Sequence, residues 1–154
     1  MVRLESLSEE ERTMLSRAVY PAFETNPFVS GPSLSQRRVA IVTTGGLHTH
    51  DDRPFLNNDA DYFRIIPGDI KADGLFMSHM SSGFDRSGFQ QDCNVIFPID
   101  RLREMAAEGV IGSLADFHYS FRSRNARPDS PQPIREIAGL LKKDKVDAVL
   151  LFPV

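Results

Sequence analysis

Val39-Ala40-Ile41-Val42-Thr43-Thr44-Gly45-Gly46 is the stretch whose reading decides the fold. It is β-branched almost throughout, apolar as far as Val42, and stops at two glycines, which is how a buried strand feeding a turn reads. A strand that is apolar on both faces needs cover on both faces, so helices and parallel partners should surround it. Val146 to Phe152 repeats the pattern, apolar except for Asp147, and reads as a second strand buried on both faces. Tyr62 to Ile66, closed by Pro67-Gly68, and Leu75 to Ser78, followed by His79, read as shorter strands.

Helical patterns lie between the strands. In Arg101 to Glu108, Asp100 is placed to cap, Leu102, Met105 and Ala106 form one face, and Gly109 offers a C-terminal cap. A further helix is expected from about Pro133, through Ile134, Ile137, Ala138, Leu140 and Leu141, to Lys142-Lys143, whose charges complement the helix dipole. The expectation for residues 39–154 is one α/β domain with a mainly parallel sheet flanked by helices. Upstream, Ser8 and Glu11 form a capping-box pair, and Leu4, Leu7, Met14, Leu15, Ala18 and Val19 recur at helical spacing, so a helix is expected over Ser8 to Val19, ended by Pro21. The prolines, serines and Gly31 that follow read as an arm, and residues 1–38 are taken as N-terminal helix plus arm. Residues 51–61, with Asp51, Asp52, Asn57, Asn58, Asp59 and Asp61, read as a surface loop. The doubled Ser-Gly-Phe at Ser82 to Phe84 and Ser87 to Phe89 reads as a loop as well.

A chain of 154 residues suits one domain of this kind. Its formal net charge of -3 offers no cationic excess for a polyanion, which argues against nucleic acid as the main partner. One cysteine, Cys93, allows neither an internal disulfide nor a cysteine-rich zinc site, and its expected role is that of a buried small hydrophobe. The polar, acidic start and the absence of any apolar run near ~18 residues point away from a signal peptide or membrane span, so the expectation is a cytoplasmic protein.

Ligands of open α/β sheets sit at the carboxyl ends of the strands, and His48 follows the first strand there through Gly45-Gly46. The glycines are expected to form the turn that delivers it, because glycine adopts positive φ cheaply. His79 lies just past a strand end, and His118 sits in Phe117-His118-Tyr119-Ser120-Phe121, read as an aromatic turn. His48, His79 and His118 form the candidate catalytic set, each with an ordinary pKa near ~6.5 that suits general acid or base work. Gly45, Gly46 and Arg122 form the candidate substrate-binding set. Arg122, with Arg124 and Arg127, could hold a carboxylate by bidentate hydrogen bonds, against the simpler reading of a solvated basic loop. The run His48-Thr49-His50-Asp51-Asp52 overlaps the His-x-His-x-Asp pattern of metallo-hydrolases. Asp52 stands where that pattern has a further histidine, and with an incomplete ligand set no metal is expected. Neither a Gly-x-Gly-x-x-Gly nor a Gly-Lys-Ser/Thr pattern follows the glycines, so a nucleotide cofactor has no support.

Several segments in order together resemble one family. They are Thr43-Thr44-Gly45-Gly46-Leu47-His48, Phe63-Arg64-Ile65-Ile66-Pro67, Ser78-His79, Asp92 to Glu104, Glu108 to Ala115, His118-Tyr119-Ser120-Phe121 and Val146 to Leu151. The family is selenoprotein B of the glycine, sarcosine, betaine and D-proline reductases. The resemblance implies a reductase in which a selenolate, or a thiolate, attacks the carbon bearing an amino group, displaces the amine and is later relieved by a thiol. It places that nucleophile in a Sec/Cys-x-x-Cys motif just after the last strand, where this chain reaches Phe152-Pro153-Val154. The implied expectations are a reading frame that continues past an in-frame UGA codon, no cofactor within these residues, and a chain that lacks the nucleophile. The implied partners are a small amino acid or amine substrate, other reductase subunits and thiol reductant proteins, with a homo-oligomer as a further expectation. A last strand without cover would expose apolar surface at ~25 cal/mol per Å², to be buried in a dimer or beneath the N-terminal helix. The competing readings are a non-catalytic α/β binding or partner subunit, and a metal-dependent hydrolase using His48, His50 and Asp51.

Overall fold

The apolar run at Val39 forms the central strand of a computed structural model that describes residues 4–17, 24–26, 28–56, 62–79, 84–122 and 131–154. In chain order the elements are α1 (Glu9–Arg17), β1 (Arg38–Thr43), β2 (Leu47–Thr49), β3 (Phe63–Pro67), β4 (Leu75–Met77), α2 (Ser87–Gln91), α3 (Ile99–Ala107), β5 (Ser113–Leu114), β6 (Phe117–Phe121), α4 (Pro131–Lys143) and β7 (Ala148–Phe152). On one edge β1 pairs in parallel with β7, from Val39 opposite Ala148 to Thr43 opposite Phe152. On the other it pairs in parallel first with β5 and then with β6, while β3 adds antiparallel outside β6. β2 and β4 form a separate antiparallel pair. The sheet is therefore mixed: parallel around β1, as expected, and antiparallel at its β3 edge.

Strand alternation sorts the side chains by face. Val39 and Ile41 of β1, with Ile66 of β3, point to the side where Ile96, Phe97, Ile99, Leu102 and Ile111 complete the core. That side carries α3, which buries Ile99 and Leu102. Gly109 ends α3 with φ 73 and donates its N–H to the Ala106 carbonyl, the left-handed cap that the sequence suggests. Asp100 is not the cap. It lies inside the first turn, where its carboxylate accepts from Asn94 and pairs with Arg103, because α3 already begins at Ile99. Helix α4 starts at Pro131, slightly before the expected Pro133.

Two readings of strands need correction. The last strand is Ala148–Phe152, and among the described residues it packs by one face: Ala148, Leu150 and Phe152 lie against the core, whereas Val149 is 38% and Leu151 70% exposed. The end of α4 shares a cleft with Ile65, Phe117 and Tyr119, on the β3–β6 side of the sheet. Phe117 to Phe121 is a strand rather than a turn. Its alternation of Phe117, Tyr119 and Phe121 with His118 and Ser120 is a period-two pattern whose polar members are buried, which hides it from a reading by hydrophobicity. Helix α2 likewise occupies part of what reads as a loop. In the acidic stretch after β2, Phe55 is buried and the Arg64 guanidinium lies 4.3 Å over its ring, so 51–56 is not purely surface. The expectations for Ala18, Val19, Pro21, Asn57, Asn58, Asp59, Asp61, Ser82, Arg124 and Arg127 fall outside the described residues. Among the described residues, no helix is long and apolar enough to cross a membrane.

Candidate functional site at the carboxyl edge of the sheet

Gly45 and Gly46 turn the chain at the end of β1. The Gly45 N–H donates to Thr43 Oγ1 at 3.1 Å, and Gly46 takes φ 65, where an L side chain would be strained. Gly46 also sits between two other strand ends. Its N–H donates to the Phe121 carbonyl and its own carbonyl accepts the Ser78 N–H, both at 2.8 Å. A Cβ on Gly46 would stand 3.2 Å from the backbone nitrogen of His79. Leu47 N–H then donates to Ser120 Oγ at 2.7 Å, and Gly45 forms an isolated bridge with Arg122. One turn thus ties the ends of β1, β4 and β6 together.

His48 lies in β2, opposite Phe76 of β4, and its ring stacks on Phe76 at 6.0 Å. Nδ1 is 2.9 Å from the Thr49 carbonyl oxygen, which can only accept, so Nδ1 carries the proton. Nε2 is left as the acceptor for the Ser78 hydroxyl, also at 2.9 Å. A hydroxyl, an imidazole and a carbonyl that orients it stand in line, with His48 buried and Ser78 half-buried. Ser78 has no assigned role in the sequence reading. The available signal is that β2 and β4 pair antiparallel, which brings a residue two beyond Phe76 within reach of His48.

His79 follows Ser78, buried, with its ring 4.5 Å from that of Phe84. Burial, then the charge of Arg86, lowers its pKa below the ordinary histidine range and keeps it neutral. Arg122 is buried rather than solvated, and its guanidinium donates to the Leu56 carbonyl. Thr44 fastens the end of the last strand: its N–H donates to the Phe152 carbonyl at 3.2 Å, and its Oγ1 accepts the Val154 N–H at 2.8 Å. The structure therefore brings Gly45, Gly46, His48 and His79 together around the turn, with Arg122 beside Gly45.

His118 is placed elsewhere. It is fully buried in the sheet, where its Nδ1 accepts the Ile41 N–H at 3.0 Å and its ring meets Phe97 edge-on at 5.7 Å. Between β5 and β6 the backbone bulges: Asp116 and Phe117 donate their N–H groups to Asp144 Oδ2 instead of to β1. The imidazole supplies the acceptor for the Ile41 N–H of β1. Desolvation lowers its pKa to about 4, with Arg103 adding to the effect. His50 is exposed, 3.5 Å from Asp51, and both ring nitrogens of His48 are already engaged, so His48, His50 and Asp51 do not assemble as a ligand set. Among the described residues, no group of three or more His, Cys, Asp or Glu side chains is placed to hold a metal ion. Cys93 is buried in the core, and desolvation, with Asp100 and Asp92 nearby, raises its pKa, so the thiol stays protonated and poorly nucleophilic.

Comparison with known proteins gives one consistent result. The family model described as glycine/sarcosine/betaine reductase selenoprotein B matches residues 9–153. The D-proline reductase subunit gamma of Acetoanaerobium sticklandii is 39% identical over 121 residues, covering 77% of this chain and 49% of that protein. The sarcosine reductase complex component B subunit beta of Peptoclostridium acidaminophilum is 31% identical over 149 residues, covering 93% of this chain and 33% of that protein. The glycine reductase complex component B subunit gamma of Symbiobacterium thermophilum is 32% identical over 139 residues, with 85% and 32% covered. The chain thus spans about half the length of the first of these relatives and about a third of the other two. No solved structure matches it. With matched residues running from α1 to the end of β7, the chain belongs to the selenoprotein B family of glycine, sarcosine and betaine reductases.

Proposed function

We propose that these residues form the proton-handling half of a reductase site that cleaves a C–N bond in a small amino acid or amine, within a complex of reductase subunits. The observation that carries this reading is the turn at Gly45-Gly46, which gathers the ends of β1, β4 and β6 beside the Ser78–His48 pair. Displacing an amine by a nucleophile requires a proton for the leaving nitrogen; with its Nδ1–H held by the Thr49 carbonyl, His48 takes up a further proton at Nε2, where it accepts from Ser78 at rest, and passes it through the Ser78 hydroxyl to the amine. Arg122, buried beside Gly45, adds positive charge at this edge, which favours a substrate carboxylate. His79 is the neutral companion of His48.

Neither Ser78 nor Cys93 is the redox nucleophile in this reading. A serine cannot be relieved by a thiol, and Cys93 is buried in the core with a raised pKa. The selenolate or thiolate is carried by a residue following Val154 in a longer form of the chain. The hydrogen bonds from Thr44 to Phe152 and Val154 support this placement, because they direct any such residue toward Gly45. A thiol reductant protein then restores the nucleophile. The 154-residue chain is expected to show no turnover with a dithiol and glycine, sarcosine, betaine or D-proline. A form extended through an in-frame selenocysteine or cysteine codon, assembled with its partner subunits, is expected to turn over one of them, and His48→Ala in that form should cost about 100-fold or more in kcat. Turnover by the unextended chain, or an extended His48→Ala form as fast as its parent, would overturn the proposal.

A further inference from the structure

The run His48-Thr49-His50-Asp51-Asp52, which does not assemble as a ligand set for a metal, closes instead as a turn whose last residue grips Thr49 from both sides. Asp52 donates its N–H to the Thr49 carbonyl at 3.3 Å. Its carboxylate Oδ2 accepts the Thr49 N–H at 3.1 Å and the Thr49 hydroxyl at 3.0 Å. The pairing of β2 with β4 ends at Thr49 opposite Leu75, so the peptide that follows Thr49 lies beyond the ladder and takes its orientation from the turn. The carbonyl of that peptide is the one that accepts Nδ1–H of His48 at 2.9 Å.

We propose that Asp52 is a positioning residue: by holding Thr49, it aims the Thr49 carbonyl at the His48 ring and so fixes which ring nitrogen carries the proton. The inference rests on the proton-handling reading of His48 and adds the group that sets it. Ser78 cannot make the choice, because a hydroxyl either donates to an imidazole nitrogen or accepts from one. A carbonyl only accepts, so the choice falls to Thr49. With Nδ1–H held there, the lone pair of Nε2 faces Ser78, and a proton taken up by the ring enters on the side from which it is passed on. In the opposite tautomer Nδ1 would turn its lone pair on the carbonyl oxygen, and the incoming proton would enter away from Ser78. A hydrogen bond to the far nitrogen sets the tautomer of a general base in acid–base triads, where a carboxylate touches the ring directly. Here a backbone carbonyl meets the ring, and the carboxylate of Asp52 stands one step behind it. The role is geometric, since Thr49 requires an acceptor oxygen from residue 52, which an amide supplies as well as a carboxylate.

Nitrogen NMR of the 154-residue chain labelled at histidine, in mildly alkaline buffer where imidazoles are neutral, reads the tautomers without turnover. Wild type should show His48 with its proton on Nδ1 and, as an internal reference, His118 with the opposite tautomer, because Nδ1 of His118 accepts the Ile41 N–H. Asp52→Ala should shift His48 toward the Nε2-protonated form and leave the His118 signals, and with them the fold, unchanged. Asp52→Asn should keep the wild-type tautomer. In the extended form assembled with its partner subunits, Asp52→Ala should lower kcat on the order of 100-fold with KM nearly constant, and Asp52→Asn should recover most of the loss. A His48 tautomer unmoved in Asp52→Ala, an asparagine variant that behaves like the alanine, or a His118 pattern that collapses with either would each overturn the inference. A tautomer that switches while kcat stays intact would leave Asp52 in its role and overturn instead the reading of His48 as proton carrier.

Discussion

A neutral imidazole stands where a backbone carbonyl would complete the ladder between β1 and β6. His118 accepts the Ile41 N–H through Nδ1 while fully buried, so the hydrogen bond exists only in the unprotonated form. Replacing it by leucine leaves a buried N–H without an acceptor and should cost about 1–3 kcal/mol in urea unfolding at pH 7. The same bond gives the protein an acid limit. The folded chain holds His118 at a pKa of about 4, against ~6.5 for the unfolded chain, so between those values the unfolded state binds the extra proton. The stability contributed by neutral His118 is whole above about pH 6.5 and falls away as the pH drops toward 4. Wild type should therefore lose more stability than His118→Leu between pH 6.5 and 4, and parallel stability curves for the two proteins would contradict this account.

At the scale of elements, two left-handed glycines separate strain from crowding. Gly109 ends α3 with φ 73 and open space where a Cβ would stand, whereas Gly46 has φ 65 and the His79 backbone 3.2 Å from that position. Gly109→Ala should cost only the left-handed penalty, ~1–2 kcal/mol. Gly46→Ala carries the same penalty and must also push β4 away from the turn, so its loss in thermal unfolding should be the larger of the two. It should also separate Ser78 from His48, and nitrogen NMR shifts of the His48 ring would register the change of partner. Equal losses for the two variants, with an unchanged His48 spectrum, would show that the turn does not hold the pair.

At the scale of the whole molecule, one carboxylate joins parts that are distant in sequence. Asp144, at the end of α4, accepts the N–H groups of Asp116 and Phe117 in the bulge and binds the Arg38 guanidinium at 2.6 Å at the start of β1. Asp116 pairs with the same guanidinium at 2.7 Å. Since Arg38 keeps part of its surface in water, Asp144→Ala should destabilise by about 2–4 kcal/mol, somewhat short of a fully buried pair. The bulge that sets His118 against β1 should loosen with it, giving faster amide exchange at Ile41. Protection of Ile41 equal to that of the wild type would show that the bulge holds without Asp144.

What the sequence determined alone is local or cumulative. Consecutive β-branched residues ending at Gly45-Gly46 define β1 and its turn, the Ser8–Glu11 box defines the start of α1, and the ordered segments from Thr43 to Leu151 carry the family, because each signal resides in neighbouring residues. What tertiary structure alone decided depends on which residues meet across the fold. The sequence does not pair Ser78 with His48, since that requires the β2–β4 register, and it does not separate His118 from the other histidines, since that requires the bulge pinned by Asp144. Nor does it reveal that, among the described residues, β7 packs on the core by one face and exposes Leu151 on the other. An apolar strand is written the same way whether its second face meets a helix of its own chain or another molecule, because hydrophobic residues specify burial without specifying the partner.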